Sequence, residues 1–199
     1  MTAGTVSPTV TFRAFDAGLA QSYPFKLQTL LAARYSTQTL TVSNAGWAGK
    51  NAWEDRSRLA SSIAESSPEL VLLMEGANDL NSIAGLPSTN AAVDATVGSM
   101  EDMVRDTVGR GIPVILATLP AQRLPKGLAA NLLPRYNAGL KTMASKKGAT
   151  IVDINALLSP SLIGQDGLHP SEPGYQRMAE IFLDAIKQQY EVSPSVASR

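Results

Sequence analysis

The sequence predicts an α/β protein, a three-layer α/β/α sandwich whose mostly parallel sheet is covered by helices on both faces. Apolar runs of strand length, as in residues 112–121, alternate along the chain with segments whose apolar residues recur at helical spacing. Continuous apolar strands between amphipathic helices are typical of a parallel sheet that is buried on both faces. No repeat or linker divides the 199 residues, so we predict one domain over residues 1–199.

The predicted helices each carry an apolar stripe, and the predicted strands each carry a short apolar or β-branched run. In order, the helices are 22–35, 51–67, 88–109, 127–146 and a last helix from about Glu172, and the strands are 38–46, 68–79, 112–121 and 148–158. We expect Ser88 to cap its helix and Pro134 to kink or split the helix that contains it. The chain ends are predicted to be irregular over residues 1–21 and frayed over residues 191–199.

Composition limits the partners. Lys plus Arg and Asp plus Glu both number 17, so nothing suggests nucleic acid or an anionic membrane as a partner. The sequence has no cysteine, which excludes disulfides and thiolate metal sites, and no apolar run approaches the roughly 20 residues that span a bilayer. The N-terminus lacks the pattern of a signal peptide, so we expect a cytoplasmic protein as written, and a secreted or periplasmic one if a segment precedes Met1.

Three polar loops that contain glycine are the candidate functional segments. Residues 44–49 (NAGWAG) and 75–80 (EGANDL) each follow a predicted strand, and residues 165–175 (QDGLHPSEPGY) lead into the last helix. In open parallel sheets the ligand site lies beyond the carboxyl ends of the strands. We therefore expect these loops to converge on one edge of the sheet.

The only histidine of the chain, His169, lies in the third loop, three residues after Asp166. A general base needs an imidazole whose second nitrogen is held by an acceptor, and Gly167 permits a turn that brings the carboxylate back to the ring. A loop histidine beside an acid has the same pattern, so these residues alone leave both interpretations open. One histidine without a His/Cys cluster falls short of a zinc site, and we expect no metal and no cofactor.

The other two loops offer hydrogen-bond donors. Asn78 presents a side-chain amide at the end of a strand, and Gly46 offers a backbone N–H with no side chain in the way. Such donors stabilise the oxyanion of acyl transfer, although Gly, Asn and Asp also favour turns for local reasons alone.

Gly46 in NAGWAG, then GAND after a strand, then DGLHP before the last helix resemble the blocks of the SGNH hydrolase superfamily, the GDSL-type esterases and lipases. The resemblance implies a flavodoxin-like sheet and ester hydrolysis by acyl transfer. It implies that Gly46 and Asn78 form the oxyanion hole, that His169 is the base and that Asp166 orients it. The implied substrate is a small-molecule ester (short acyl, acetyl-sugar or lipid), and no cofactor is implied.

The sequence departs from the family at the nucleophile, because Gly-Asp-Ser occurs nowhere in it. In one alignment, residues 1–4 (MTAG) are the tail of the nucleophile motif, and its strand lies upstream of the chain. In the other, residues 10–18 (VTFRAFDAG) are the strand with a degraded motif. We favour the first alignment. Neither identifies a nucleophile, because Ser7 precedes a proline in a loop and Ser22 is expected to cap the first helix.

The sequence therefore predicts an ester hydrolase by descent that is truncated or inactive as written. The alternative is a non-catalytic protein that binds an ester or a carbohydrate in the same pocket. A domain without any small-molecule role is a third interpretation.

Overall fold

The computed structural model describes residues 2–5, 21–87 and 89–191. Its strands are β1 (Thr2–Thr5), β2 (Val42–Asn44), β3 (Leu70–Leu73), β4 (Val114–Ala117) and β5 (Thr150–Val152). Its helices are α1 (Tyr23–Arg34), α2 (Ala52–Ser66), α3 (Ala77–Ile83), α4 (Thr89–Val108), α5 (Leu133–Lys147), α6 (Ile154–Leu157) and α7 (Glu172–Tyr190), with a turn of 3-10 helix at Pro160–Leu162.

The five strands form one sheet in the order β2-β1-β3-β4-β5, and every pair is parallel. This is the flavodoxin-like order, and it confirms the predicted fold class. In this order the second strand lies on one side of the first, and the later strands follow on the other side. All carboxyl ends consequently lie at one edge.

The N-terminal segment corrects one prediction. Thr2–Thr5 forms the strand between β2 and β3, with Thr2 opposite both Val42 and Leu70. This strand overturns the prediction that residues 1–21 are irregular, and also the favoured alignment, in which the strand lies upstream of the chain. The strand forms because the facing edges of β2 and β3 carry backbone N–H and C=O groups that need hydrogen-bond partners. A segment of four residues is long enough to pair with both edges. Residues 10–18, which the second alignment uses, lie outside the described residues.

The helices cover both faces of the sheet. Helices α1 and α7 pack together on one face, where the rings of Tyr23 and Phe182 stack with centroids 5.1 Å apart, and α2, α4 and α5 pack in a row on the other. All residues of β3 and β4 are buried. A fully buried Leu or Ile side chain contributes roughly 1.5–3 kcal/mol, so these central strands anchor the loops at their ends.

Several helix ends follow local rules. Asn51 and Glu54 form a reciprocal capping box at the start of α2, and the Ser171 hydroxyl accepts the Gly174 N–H at the start of α7. α7 begins at Glu172, as predicted. α5 begins at Leu133, because Pro134 is tolerated in a first turn, where its missing N–H has no helical partner; the predicted kink is therefore wrong.

Two predictions on capping and fraying lie partly outside the described residues. Ser88 and residues 192–199 are not among them, while Glu191 still donates its N–H to the Lys187 carbonyl at the end of α7. Across the described ranges, none of the helices combines the length and apolar character that crossing a membrane requires.

Candidate active site

The carboxyl edge of the sheet carries two of the predicted loops. One follows β2 and contains Gly46, and the other follows β3 and runs into α3, with Asn78 in its first turn. The third, with His169, precedes α7.

The Asp166 carboxylate holds both the ring and the backbone of His169. Its Oδ2 contacts the His169 Nδ1, and its Oδ1 accepts the backbone N–H groups of Leu168 at 3.1 Å and His169 at 3.0 Å. The acid therefore fixes the orientation of the imidazole, the arrangement that a general base requires.

A loop that follows β4 supports the histidine turn. The Arg123 N–H donates to the Gly167 carbonyl and the Lys126 N–H to the Asp166 carbonyl, both at 2.8 Å, while the Arg123 guanidinium donates to the Gly164 carbonyl at 2.8 Å. Gly167 has φ +77°, and the Arg123 carbonyl fills the space of a side chain there, so only glycine fits. Arg123 and Lys126 could not be identified from the sequence, because their backbone contacts depend on tertiary structure.

The surroundings of the two residues favour a neutral imidazole on His169 and an ionised carboxylate on Asp166. Burial lowers the pKa of His169 below its ordinary value of 6.5, with the Lys126 charge acting in the same direction and Asp166 opposing both. Burial acts to raise the pKa of Asp166, but hydrogen bonds from the His169 and Leu168 N–H groups and from the imidazole lower it overall. At neutral pH the pair is a neutral imidazole beside a carboxylate, the state that can accept a proton.

The Asn78 amide is fixed by one of its two N–H groups. Its Nδ2 donates to the Lys50 carbonyl at 2.8 Å, which leaves the second N–H of the same nitrogen for another acceptor. Asp79 makes a second link, because both of its carboxylate oxygens accept the Ala52 N–H, at 3.2 and 3.0 Å. These two contacts join the loop after β2 to the turn after β3.

The Gly46 N–H is engaged within its own loop, where it donates to the Asn44 Oδ1 at 3.0 Å. The carbonyl of the same peptide, that of Ala45, accepts a hydrogen bond from the Arg58 guanidinium. For Gly46 to act as predicted, an oxyanion must replace Asn44 as its acceptor. Sequence reasoning missed Arg58, because a charged residue on a helix is ordinarily solvated.

An exposed aromatic side chain borders this loop. Trp47 is 58% exposed, and the Lys50 ammonium lies 5.9 Å from the centre of its ring. Trp47 and Lys50 line a cavity of about 310 Å³ together with Glu54, Arg58 and other residues of α2.

The described residues contain no group of three or more His, Asp or Glu side chains arranged to hold a metal ion. Of the two serines considered as nucleophiles, Ser7 lies outside the described residues. Ser22 lies at the N-cap of α1, as expected, but its side chain does not make the capping hydrogen bond.

A flavodoxin-like sheet with an Asp–His pair ahead of its last helix is the architecture of an SGNH-type hydrolase. The model of the GDSL-like lipase/acylhydrolase family matches residues 1–177, and the chain belongs to this family.

Known proteins resemble the chain to different extents. A multidomain esterase from Ruminococcus flavefaciens is 27% identical over 165 residues, which are 78% of this chain and only 20% of that protein. A variant of an acetyl xylan esterase from Geobacillus stearothermophilus superposes with a TM-score of 0.75 at 24% identity, covering 98% of this chain and 95% of that one. The psychrotrophic esterase EstA from Pseudoalteromonas sp. superposes with a TM-score of 0.73 at 17% identity, covering 94% and 97%. These structural likenesses show the fold.

Proposed function

We propose that the chain carries the acid–base and oxyanion groups of a carboxylic ester hydrolase that works by acyl transfer. The observation that carries this proposal is the Asp166–His169 contact, in which a carboxylate orients a partly buried imidazole whose pKa lies below 6.5. Membership of the GDSL-like lipase/acylhydrolase family supports the reaction class.

In this mechanism His169 takes the proton of the attacking hydroxyl and later returns it to the leaving alcohol, while Asp166 holds the ring and stabilises the imidazolium. The free N–H of the Asn78 amide and the N–H of Gly46 donate to the oxygen that becomes negative when the ester carbonyl is attacked. Water then attacks the acyl group, with His169 again as base, and releases the acid.

The nucleophile decides whether the 199 residues act alone. Because Gly-Asp-Ser is absent from the sequence, we expect the chain as written to hydrolyse esters poorly. Loss of a nucleophile removes on the order of 10⁴–10⁶ in kcat. A chain extended ahead of Met1 by an apolar strand that ends in Gly-Asp-Ser, and that takes the place of Thr2–Thr5 between β2 and β3, would bring a serine to the carboxyl edge and should recover several orders of magnitude.

The test is hydrolysis of a chromogenic acetyl ester by the chain, by the extended chain and by His169→Ala in each. Activity that His169→Ala abolishes supports the proposal. If the unextended chain is already active, Ser7→Ala in that form shows whether Ser7 provides the hydroxyl. If neither form hydrolyses the ester while both are folded, the proposal is wrong.

The missing Gly-Asp-Ser favours one other function, a protein that binds esters or carbohydrates without hydrolysing them. Calorimetric titration of the folded, inactive chain with acetylated xylooligosaccharides tests it, and heat of binding that Trp47→Ala removes would support it.

For the substrate, we propose a short acyl ester of an exposed alcohol, with acetylated sugars first. The solved neighbour from Geobacillus stearothermophilus is an acetyl xylan esterase, and Trp47 stands exposed beside Gly46, where a sugar ring can stack. Comparing kcat/KM for acetyl, butyryl and octanoyl esters tests the acyl part, and a preference for octanoyl would contradict the proposal.

A further inference from the structure

The peptide group between Ala45 and Gly46 is held from α2. The Arg58 guanidinium donates to the Ala45 carbonyl and binds the Asp55 carboxylate at both ends, with Nη2–Oδ2 at 2.5 Å and Nε–Oδ1 at 3.0 Å. Asp55 is 1% exposed, and the Arg58 side chain is 19% exposed. A bidentate arginine in this environment is rigid, because the fork fixes its plane.

Holding the carbonyl also fixes the N–H. In a trans peptide the C=O and the N–H point in opposite directions, so the Arg58 contact on one side of the Ala45–Gly46 peptide aims the Gly46 N–H to the other. Glycine has no side chain to oppose rotation of this peptide, which makes an external anchor necessary. The Gly46 N–H donates to the Asn44 Oδ1, and an oxyanion can take the place of this oxygen without rotation of the peptide.

The anchor continues into the protein interior. The Glu75 carboxyl group is 1% exposed, and the negative charge of Asp55 acts on it. Burial, followed by the charge of Asp55, raises the pKa of Glu75 well above its ordinary value. Arg58 thus connects the Ala45 carbonyl to the buried carboxylate of Asp55.

We propose that Arg58 is a positioning residue of the oxyanion hole, which acts through the Ala45 carbonyl to aim and polarise the Gly46 N–H. A cation bound to the carbonyl draws electron density through the peptide and makes its N–H a stronger donor. The inference rests on the proposed function, in which Gly46 is a donor to the oxyanion.

The main test compares two arginines of α2. Arg58→Met removes the anchor, whereas Arg56→Met removes exposed ion pairs to Asp102 and Asp106 and leaves the loop untouched. In the form of the enzyme that hydrolyses the acetyl ester, we expect Arg58→Met to lower kcat by about 10²–10³-fold, the effect of losing one oxyanion donor, with KM within about threefold. Arg56→Met should change kcat and KM by less than about twofold. A folded Arg58→Met with unchanged kcat overturns the proposal.

Arg58→Lys serves if the methionine variant does not fold. Lysine keeps the charge but cannot bind both Asp55 oxygens and the Ala45 carbonyl in one plane, so we expect kcat between that of the parent and that expected of the methionine variant. Full kcat in Arg58→Lys contradicts the geometric part of the proposal.

A readout without catalysis separates this inference from the proposed function. In the amide NMR spectrum of the 199-residue chain, the Arg58 variants should shift the Gly46 resonance and speed its hydrogen exchange, and Arg56→Met should do neither. An unmoved Gly46 resonance overturns the inference. If the resonance moves but no form of the enzyme hydrolyses esters, the proposed function fails while the anchor stands.

Discussion

The turn after β3 gives the sharpest prediction on stability. Gly76 has φ +103°, and a Cβ at this position would lie within the ring and hydroxyl of Tyr136. Tyr136 has no exposed surface, and its hydroxyl donates to the Glu75 carbonyl at 2.8 Å, so the ring cannot move aside cheaply. Gly76→Ala should therefore be strongly destabilising.

Two costs add at this position. A side chain held at positive φ costs on the order of 1–3 kcal/mol. Forcing a methyl group into a packed interior costs about 1–3 kcal/mol more. Gly76→Ala should then lose roughly 2–6 kcal/mol of a total stability of about 5–15 kcal/mol.

Gly85 provides the matched control, because it has φ +81° but nothing within 4 Å of the position that a Cβ would take. Gly85→Ala should incur the backbone cost alone, on the order of 1–3 kcal/mol. Urea unfolding followed by circular dichroism measures both variants against the parent. Equal losses for Gly76→Ala and Gly85→Ala would refute the steric argument at Tyr136.

Three further predictions concern titration and the oxyanion site. In the proposed mechanism the neutral form of His169 is the base, and its pKa is lowered, so the acidic limb of kcat/KM should have its midpoint below 6.5. Lys126→Gln should move that midpoint upward, because it removes a nearby positive charge, and a midpoint above 6.5 in the parent contradicts this prediction. Asn78→Ala should lower kcat by about 10²–10³-fold and also lower the melting temperature, since the contact with the Lys50 carbonyl is lost; hydrolysis at the parental rate would exclude the oxyanion role. The pKa of Glu75 is raised in the folded state, so its contribution to stability is complete below the ordinary value of 4.5 and is lost as the pH rises through the folded-state pKa. Glu75→Gln does not titrate, so between pH 4.5 and 8 it should gain stability relative to the parent in urea unfolding. If the stabilities of the two proteins change with pH in parallel, Glu75 does not carry a buried proton.

The elements with strong periodicity could be predicted from the sequence. The stripe from Met178 to Ile186 predicted α7, and the apolar runs predicted β3 and β4 in a parallel sheet. β1 could not be predicted, because TAGT has no apolar pattern and becomes a strand only where two neighbours supply hydrogen-bond partners. The start of α5 could not be predicted either, because a proline is compatible both with the end of one helix and with the first turn of the next. Which of the two Pro134 forms depends on the loop before it.

Of the candidate site, the local part was predictable and the tertiary part was not. Asp166 and His169 meet because they lie three positions apart with a glycine between them, a spacing that can be assessed from the sequence. The contact between Arg58 and the Ala45 carbonyl spans 13 residues and depends on how α2 lies against the loop after β2. Asp55 and Arg58 carried the helical spacing of an ordinary surface ion pair, and only burial distinguishes them from one.

The two halves of the proposed site are held by different parts of the fold, which makes their perturbations separable. The donors at Gly46 and Asn78 are tied to α2 and to the loop after β2, whereas the loop after β4 holds the His169 turn. Energetic effects at sites with no shared partner add to a good approximation. Arg58→Met should consequently lower kcat without moving the acidic limb, and Lys126→Gln should move the limb in the Arg58→Met background by the same amount as in the parent. A limb that shifts in Arg58→Met itself would show that the halves are coupled.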